Sequence, residues 1–190
     1  EQQGLLDEIP DRLFRETVKN FCTNQQFRMD YWVKGARPLS PSERLAGLAQ
    51  TRVVLTKPRA EVTLRTRGMQ REVSLQESIC NPVLDTLADL QPRTLAELAD
   101  AAGGARMLPA VAQSVAMMYA CGHLHPANTE DTIAQVRSQT QRLNKHLIEQ
   151  SRFAGEVNFL ASPVTGGGVA VNRAEQLFLL ARSEGNRQPD

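Results

Sequence analysis

The sequence predicts an α+β fold, mostly helical, with a small antiparallel sheet and a winged-helix-like helical domain. Three observations carry this. Apolar residues recur at helical spacing behind polar caps over much of the chain. A stretch in the first half instead reads as short strands around the Arg67-Gly68 turn. Between Asn81 and Gly122, short helices, turns and a longer apolar helix follow one another in a helix-turn-helix layout.

The elements follow in chain order. Asp11 after Pro10 is an N-cap, and Phe14, Val18, Phe21 and Cys22 then fall on one helical face. Phe27 to Val33 is rich in aromatics and alternates, which suggests an extended segment. Ser40, Pro41 and Glu43 open a second helix running to about Leu48. Arg52–Thr56, Glu61–Thr66 and Glu72–Leu75 read as strands. The last two form a hairpin about Gly68, with Val62 and Leu64 facing Val73 and Leu75.

From Asn81 helices take over. Pro82 to Leu90 is the first, with Asn81 as its cap. Thr94 caps the second, and Glu97 completes a capping box. Met107 to Cys121 is the third, ended by Gly122. Thr129 opens a long polar helix through Gln150 whose apolar residues form a narrow seam, as at a domain or subunit junction. Phe159-Leu160 and Val169–Val171 flank a turn at Gly166–Gly168, and Arg173 to Arg182 closes the chain, burying Leu177, Phe178 and Leu180. Three segments are expected: residues 1–76 as an α/β module, 77–128 as the winged-helix-like domain and 129–190 as a helical cap with a short hairpin.

With 22 Lys+Arg, 21 Asp+Glu and a net charge of +1, the composition is that of an ordinary globular chain. The charge is uneven, however. Residues 1–76 hold thirteen Lys/Arg against nine acids, whereas 77–190 hold nine against twelve. No run approaches the roughly 20 apolar residues that span a bilayer, and three widely spaced cysteines suit reduced thiols, so a cytoplasmic location with no membrane partner is expected. The chain opens Glu-Gln-Gln-Gly without Met, and we expect it to be a piece of a longer polypeptide.

Few residues invite chemistry. A DNA-reading third helix should present Arg, Lys, Asn or Gln to base edges, yet this one offers Arg106, Gln113 and Ser114 within an acidic half of the chain. Nucleic acid is therefore not the expected partner, and a winged-helix DNA-binding transcriptional regulator is the alternative reading. Cys121, His123 and His125 lack the further ligands of a metal site, and His123 reads as a favourable charge at a helix C-terminus. Gly166–Gly168 lacks both phosphate-loop spacings. Cys22, Cys80 and Cys121 sit on apolar faces or at helix ends, where burial makes thiols inert.

Two clusters suit recognition. Phe27, Arg28, Asp30 and Trp32 combine an Arg/Asp pair with aromatics, which can hold a junction through bidentate bonding and cation–π contact. Between Arg52 and Arg71 six Lys/Arg stand against one acid, and Arg65, Arg67 and Arg71 on the hairpin suit an acidic partner surface.

The run Phe21 to Val33 resembles the start of the methyltransferase regulatory domain. Phe21, Asn24, Phe27 and Arg28 match that family's short element, while Asn20, Gln25 and Trp32 depart from it. Leu160 to Gly166 and Asn172 to Leu180 are similar to the closing segment of bacterial protein-lysine methyltransferases. The resemblance implies a non-catalytic, regulatory or substrate-engaging region of an S-adenosylmethionine-dependent methyltransferase. No catalytic, cofactor-binding or metal residue is then expected in this chain, and S-adenosylmethionine would lie in a catalytic domain before Glu1. The implied partners are that domain in cis, a protein substrate and a second copy of the chain.

Overall fold

Polar caps set where most of the helices begin. In the computed structural model, which describes residues 2–25, 27, 33–35, 37–67 and 72–185, the chain divides into two compact units, 1–38 and 39–190. The first unit holds α1 (Gln2–Asp7) and α2 (Arg12–Cys22). Asp11 caps α2 by accepting from the Phe14 amide at 2.7 Å. The Arg15 guanidinium donates twice to the Ile9 carbonyl, at 2.9 and 2.7 Å, and so ties the turn after α1 to α2. Leu6 is buried, but α2 buries no residue.

The second unit starts with α3 (Pro41–Gln50), opened by the Ser40–Glu43 capping box, and β1 (Arg52–Leu55). A 3₁₀ turn over Arg59–Glu61 precedes β2 (Arg65–Arg67), which pairs antiparallel with β3 (Glu72–Ser74). The expected hairpin exists but is shorter than the sequence pattern suggests. Val62 follows the 3₁₀ turn as a buried core residue instead of lining a strand. The order continues with α4 (Glu77–Thr86), β4 (Arg93–Thr94), α5 (Leu95–Ala101), a 3₁₀ turn at Ala105–Met107, α6 (Leu108–Ala120) and β5 (Leu124–Pro126).

These elements enclose one core. Strand β1 lies between β4 and β5 in an antiparallel sheet, with Val53 opposite Arg93 and Leu55 opposite Leu124. Val53 and Leu55 pack with Leu84, Leu98, Val111, Met118 and Leu124 from α4, α5, α6 and β5. Burying such side chains contributes roughly 1.5–3 kcal/mol each and is the main term holding this unit together. The same burial explains why α4 begins at Glu77 and runs through Pro82, where the sequence places a start at Asn81. Ile79 and Cys80 are core residues, and anchoring them outweighs the hydrogen bond that Pro82 cannot donate.

The C-terminal part hangs on side-chain amides. Helix α7 (Glu130–Gln150) is joined to β1 by the Arg52–Glu130 ion pair at 2.5 Å and buries Ile133. The hairpin of β6 (Phe159–Ala161) and β7 (Gly168–Ala170) leads to α8 (Arg173–Ser183). Asn144 of α7 exchanges two bonds with Ala161, and Asn128 binds the hairpin loop through the Pro163 and Val164 carbonyls. Gln176 of α8 donates to the Val157 and Val171 carbonyls at 2.7 and 2.8 Å. The sequence assigns Leu177, Phe178 and Leu180 to the buried face of this helix; the structure buries Gln176 and Leu180 and leaves Leu177 and Phe178 exposed. Two carbonyls needing donors between the hairpin and α8 turn the amide inward, and the helix rotates with it.

Candidate docking surface

Helix α2 separates apolar from polar residues sharply, yet no described residue of its own unit, 1–38, covers its apolar side. Leu13 is 81% exposed and Phe21 82%, with Phe14 exposed beside them. Cys22 is exposed as well, so its thiol is not screened by burial as the sequence suggests. On the polar side Glu16 and Lys19 form an i,i+3 pair, which fixes which face stays with water. Leu13 lies outside the face read from the sequence and adds exposed apolar surface beside it. Soluble chains seldom leave two phenylalanines and a leucine of one helix bare, and such faces mark contact surfaces.

The anchor residues predicted from sequence are only partly on view. Phe27 is 89% exposed, while Arg28, Asp30 and Trp32 lie outside the described residues. On the basic hairpin Arg65 is exposed at the start of β2 and Arg67 ends that strand; Arg71 lies outside the described residues. Two other cations of this run are engaged elsewhere. Arg52 pairs with Glu130, and Arg59 donates to Asp85 at 2.9 Å and to Asn81 at 2.8 Å. The positive charge left for a partner is thus narrower than the count of six suggests. An open depression beside it is lined by Arg59, Thr63, Leu64, Arg65, Glu77 and Asn81, with a carboxylate among its guanidiniums.

His123 is not the exposed charged residue at a helix end that the sequence suggests. It is buried, and its Nε2 donates to the Thr63 carbonyl at 3.1 Å, which leaves Nδ1 as an acceptor without a partner among the described residues. Burial, and secondly the nearby Lys57 charge, hold its pKa below the ordinary value; the Thr63 bond opposes them. Burial likewise raises the Cys80 thiol, against a hydrogen bond with Ser114. Ser114 therefore faces α4, not the surface where a base-reading side chain would stand. No three His, Cys, Asp or Glu converge as metal ligands among the described residues, and no described helix is long and apolar enough to cross a membrane.

Comparison with known proteins places these features. The chain is 37% identical over 181 residues, 95% of its length, to an uncharacterized protein of Synechocystis sp.. That stretch is 36% of the relative, so the chain spans about a third of the length of the curated relative it matches. No solved structure matches the chain. Residues 1–34, which carry α1, α2 and the exposed apolar face, match the family described as a predicted methyltransferase regulatory domain.

Proposed function

We propose that this chain is a non-catalytic regulatory or substrate-engaging region of an S-adenosylmethionine-dependent methyltransferase, and that α2 docks on the catalytic domain. The observation that carries the reading is a coincidence of position. The segment matched by the regulatory-domain family is the segment whose helix leaves Leu13, Phe14 and Phe21 bare. Residues 1–38 bury only Leu6 among the described side chains, and a unit of that size with so small a core gains stability from a partner surface. In this reading Phe27, Arg28, Asp30 and Trp32 extend the anchor, and Arg65, Arg67 and Arg71 meet an acidic surface of the catalytic domain or of a protein substrate.

S-adenosylmethionine belongs, in this reading, to the catalytic domain. The one glycine-rich run of this chain joins two strands of a hairpin, whereas a nucleotide-type cofactor loop leads from a strand into a helix whose N-terminus faces the ligand. The winged-helix transcriptional reading is not favoured: the exposed residues of α6 are Pro109, Gln113, Ala116, Met117, Tyr119 and Ala120, with no cation among them to meet phosphate.

Calorimetry tests the assignment. The isolated chain is expected to give no heat with S-adenosylmethionine and to bind the methyltransferase domain encoded upstream. Substituting Phe14→Glu with Phe21→Glu is expected to weaken that binding at least tenfold. Tight cofactor binding by the chain alone, or an upstream segment that is no methyltransferase, overturns the reading.

A further inference from the structure

The two edges of the C-terminal hairpin are treated differently. The bonds Ser162 N–H to Gly167 O (2.8 Å) and Val171 N–H to Asn158 O (3.0 Å) set the phase of the ladder. Leu160 and Val169 are then a hydrogen-bonded pair, while Phe159, Ala161, Gly168 and Ala170 turn their backbone groups outward. On the β6 side the outward N–H and C=O of Ala161 are both met by the Asn144 amide. On the β7 side the outward groups of Gly168 and Ala170 have no partner among the described residues, and all three residues of β7 are exposed.

Proteins that leave a strand edge open usually guard it with Lys, Pro or a bulge. This edge reads Gly-Val-Ala, and no charged residue occurs from Val157 through Asn172. The ring of Phe159 lies over Gly168, where a Cβ would stand 3.5 Å from the Phe159 Cβ, so the hairpin's own aromatic fills the space of the missing side chain. Val169, 46% exposed, occupies the centre of the edge.

We propose that β7 pairs antiparallel with β7 of a second copy about a twofold axis through Val169, converting two hairpins into one four-stranded sheet. The edge complements itself. Two outward-facing residues placed symmetrically about a central one require no choice of register under a twofold rotation, the isologous geometry of most dimers. Gly168 exchanges both backbone bonds with Ala170 of the second copy, and Ala170 does the same with its Gly168, giving four hydrogen bonds. The two Val169 side chains then meet as a cross-strand pair of the kind that stabilises sheets. A charged edge would repel its own copy, and this one brings no charges together. The absence of charge also removes the means by which an edge selects a different, oppositely charged partner.

The proposal is independent of the methyltransferase reading, because it needs neither α2 nor a catalytic domain. Sedimentation equilibrium of the 190-residue chain across a dilution series is expected to show a monomer–dimer equilibrium. Ala170→Pro removes an outward N–H that the hairpin itself does not use, hence two of the four bonds. It is expected to raise the dissociation constant at least about tenfold, which corresponds to about 1.4 kcal/mol. Val169→Lys, which places a guard charge at the axis without touching the backbone, is expected to do the same while circular dichroism shows the chain still folded. Phe21→Glu should leave the dimer intact, and the Gly168 and Ala170 amides should gain hydrogen-exchange protection with concentration. A chain that is monomeric throughout, a dimer indifferent to Val169→Lys, or a dimer lost on Phe21→Glu but kept in Val169→Lys overturns the proposal.

Discussion

Asn144 stands in for a β-strand beside Ala161. Its Oδ1 accepts the Ala161 N–H and its Nδ2 donates to the Ala161 C=O, both at 2.8 Å, so a helix side chain completes the ladder of β6. Replacing Asn144 with Leu leaves both backbone groups half-buried and unpaired. The expected cost is about 1–3 kcal/mol, measured by urea unfolding. Asn144→Asp keeps the acceptor and loses the donor, and should fall between Leu and wild type above the titration range of a carboxylate.

Gln176 performs a related task on the other side of the hairpin. Its Nε2 serves the Val157 and Val171 carbonyls, while its Oε1 is buried with no partner among the described residues. Gln176→Glu places a carboxylate against two carbonyl oxygens in a buried setting, and should destabilise more than Gln176→Met, which removes the bonds without adding charge. Thermal melts of the two variants rank them. A glutamate variant as stable as the methionine variant would contradict the burial of this side chain.

His123 sets an acid limit on stability. Its pKa in the folded chain lies below the ordinary 6.5, so the unfolded chain binds a proton more readily. The contribution of the neutral imidazole is complete above about pH 6.5 and is lost as pH falls through the lowered folded value. Wild type should therefore lose melting temperature below pH 6.5 more steeply than His123→Asn, compared between pH 7.5 and 5 by calorimetry. Equal slopes would show that His123 can be protonated in the folded state at no cost.

The capping box of α5 adds a second, more acidic step. Thr94 Oγ1 accepts the Glu97 amide, and the Glu97 carboxylate accepts from the Thr94 backbone at 2.7 Å and its hydroxyl at 2.8 Å. The backbone bond, then the hydroxyl, hold the Glu97 carboxyl below its ordinary value of 4.5. That stability is present above 4.5 and disappears as pH falls through the lowered pKa. Thr94→Ala should cost about 0.5–2 kcal/mol at neutral pH. The difference from wild type should shrink under acid, which chemical denaturation at two pH values checks.

Helix starts were legible because a cap is a local event. Asp11, Ser40, Thr94 and Thr129 each bond an amide three residues ahead, and those partners can be named from spacing alone. Rotation about a helix axis was less legible. The apolar run Leu177 to Leu180 suggests one buried face, but the inward position of α8 belongs to Gln176, because the carbonyls it satisfies come from Val157 and Val171. The recognition surface was legible in part. Phe14 and Phe21 share a face in the sequence, but only the tertiary structure shows that nothing described within residues 1–38 covers it.

By itself the sequence determined the order and type of most elements and the likeness of the first residues to a regulatory domain, since caps, periodicity and short motifs act over a few residues. The tertiary structure decided which polar groups go inside. The pKa of His123 is lowered because the fold buries it near Lys57, against the opposing bond to Thr63, and Arg59 is withheld from the basic surface because α4 brings Asp85 to it. It also decided that Asn144 meets the outward groups of Ala161 on one edge of the last hairpin, while those of Gly168 and Ala170 on the other have no partner among the described residues. Such outcomes depend on groups tens of residues apart meeting within about 3 Å, and no local pattern encodes that meeting.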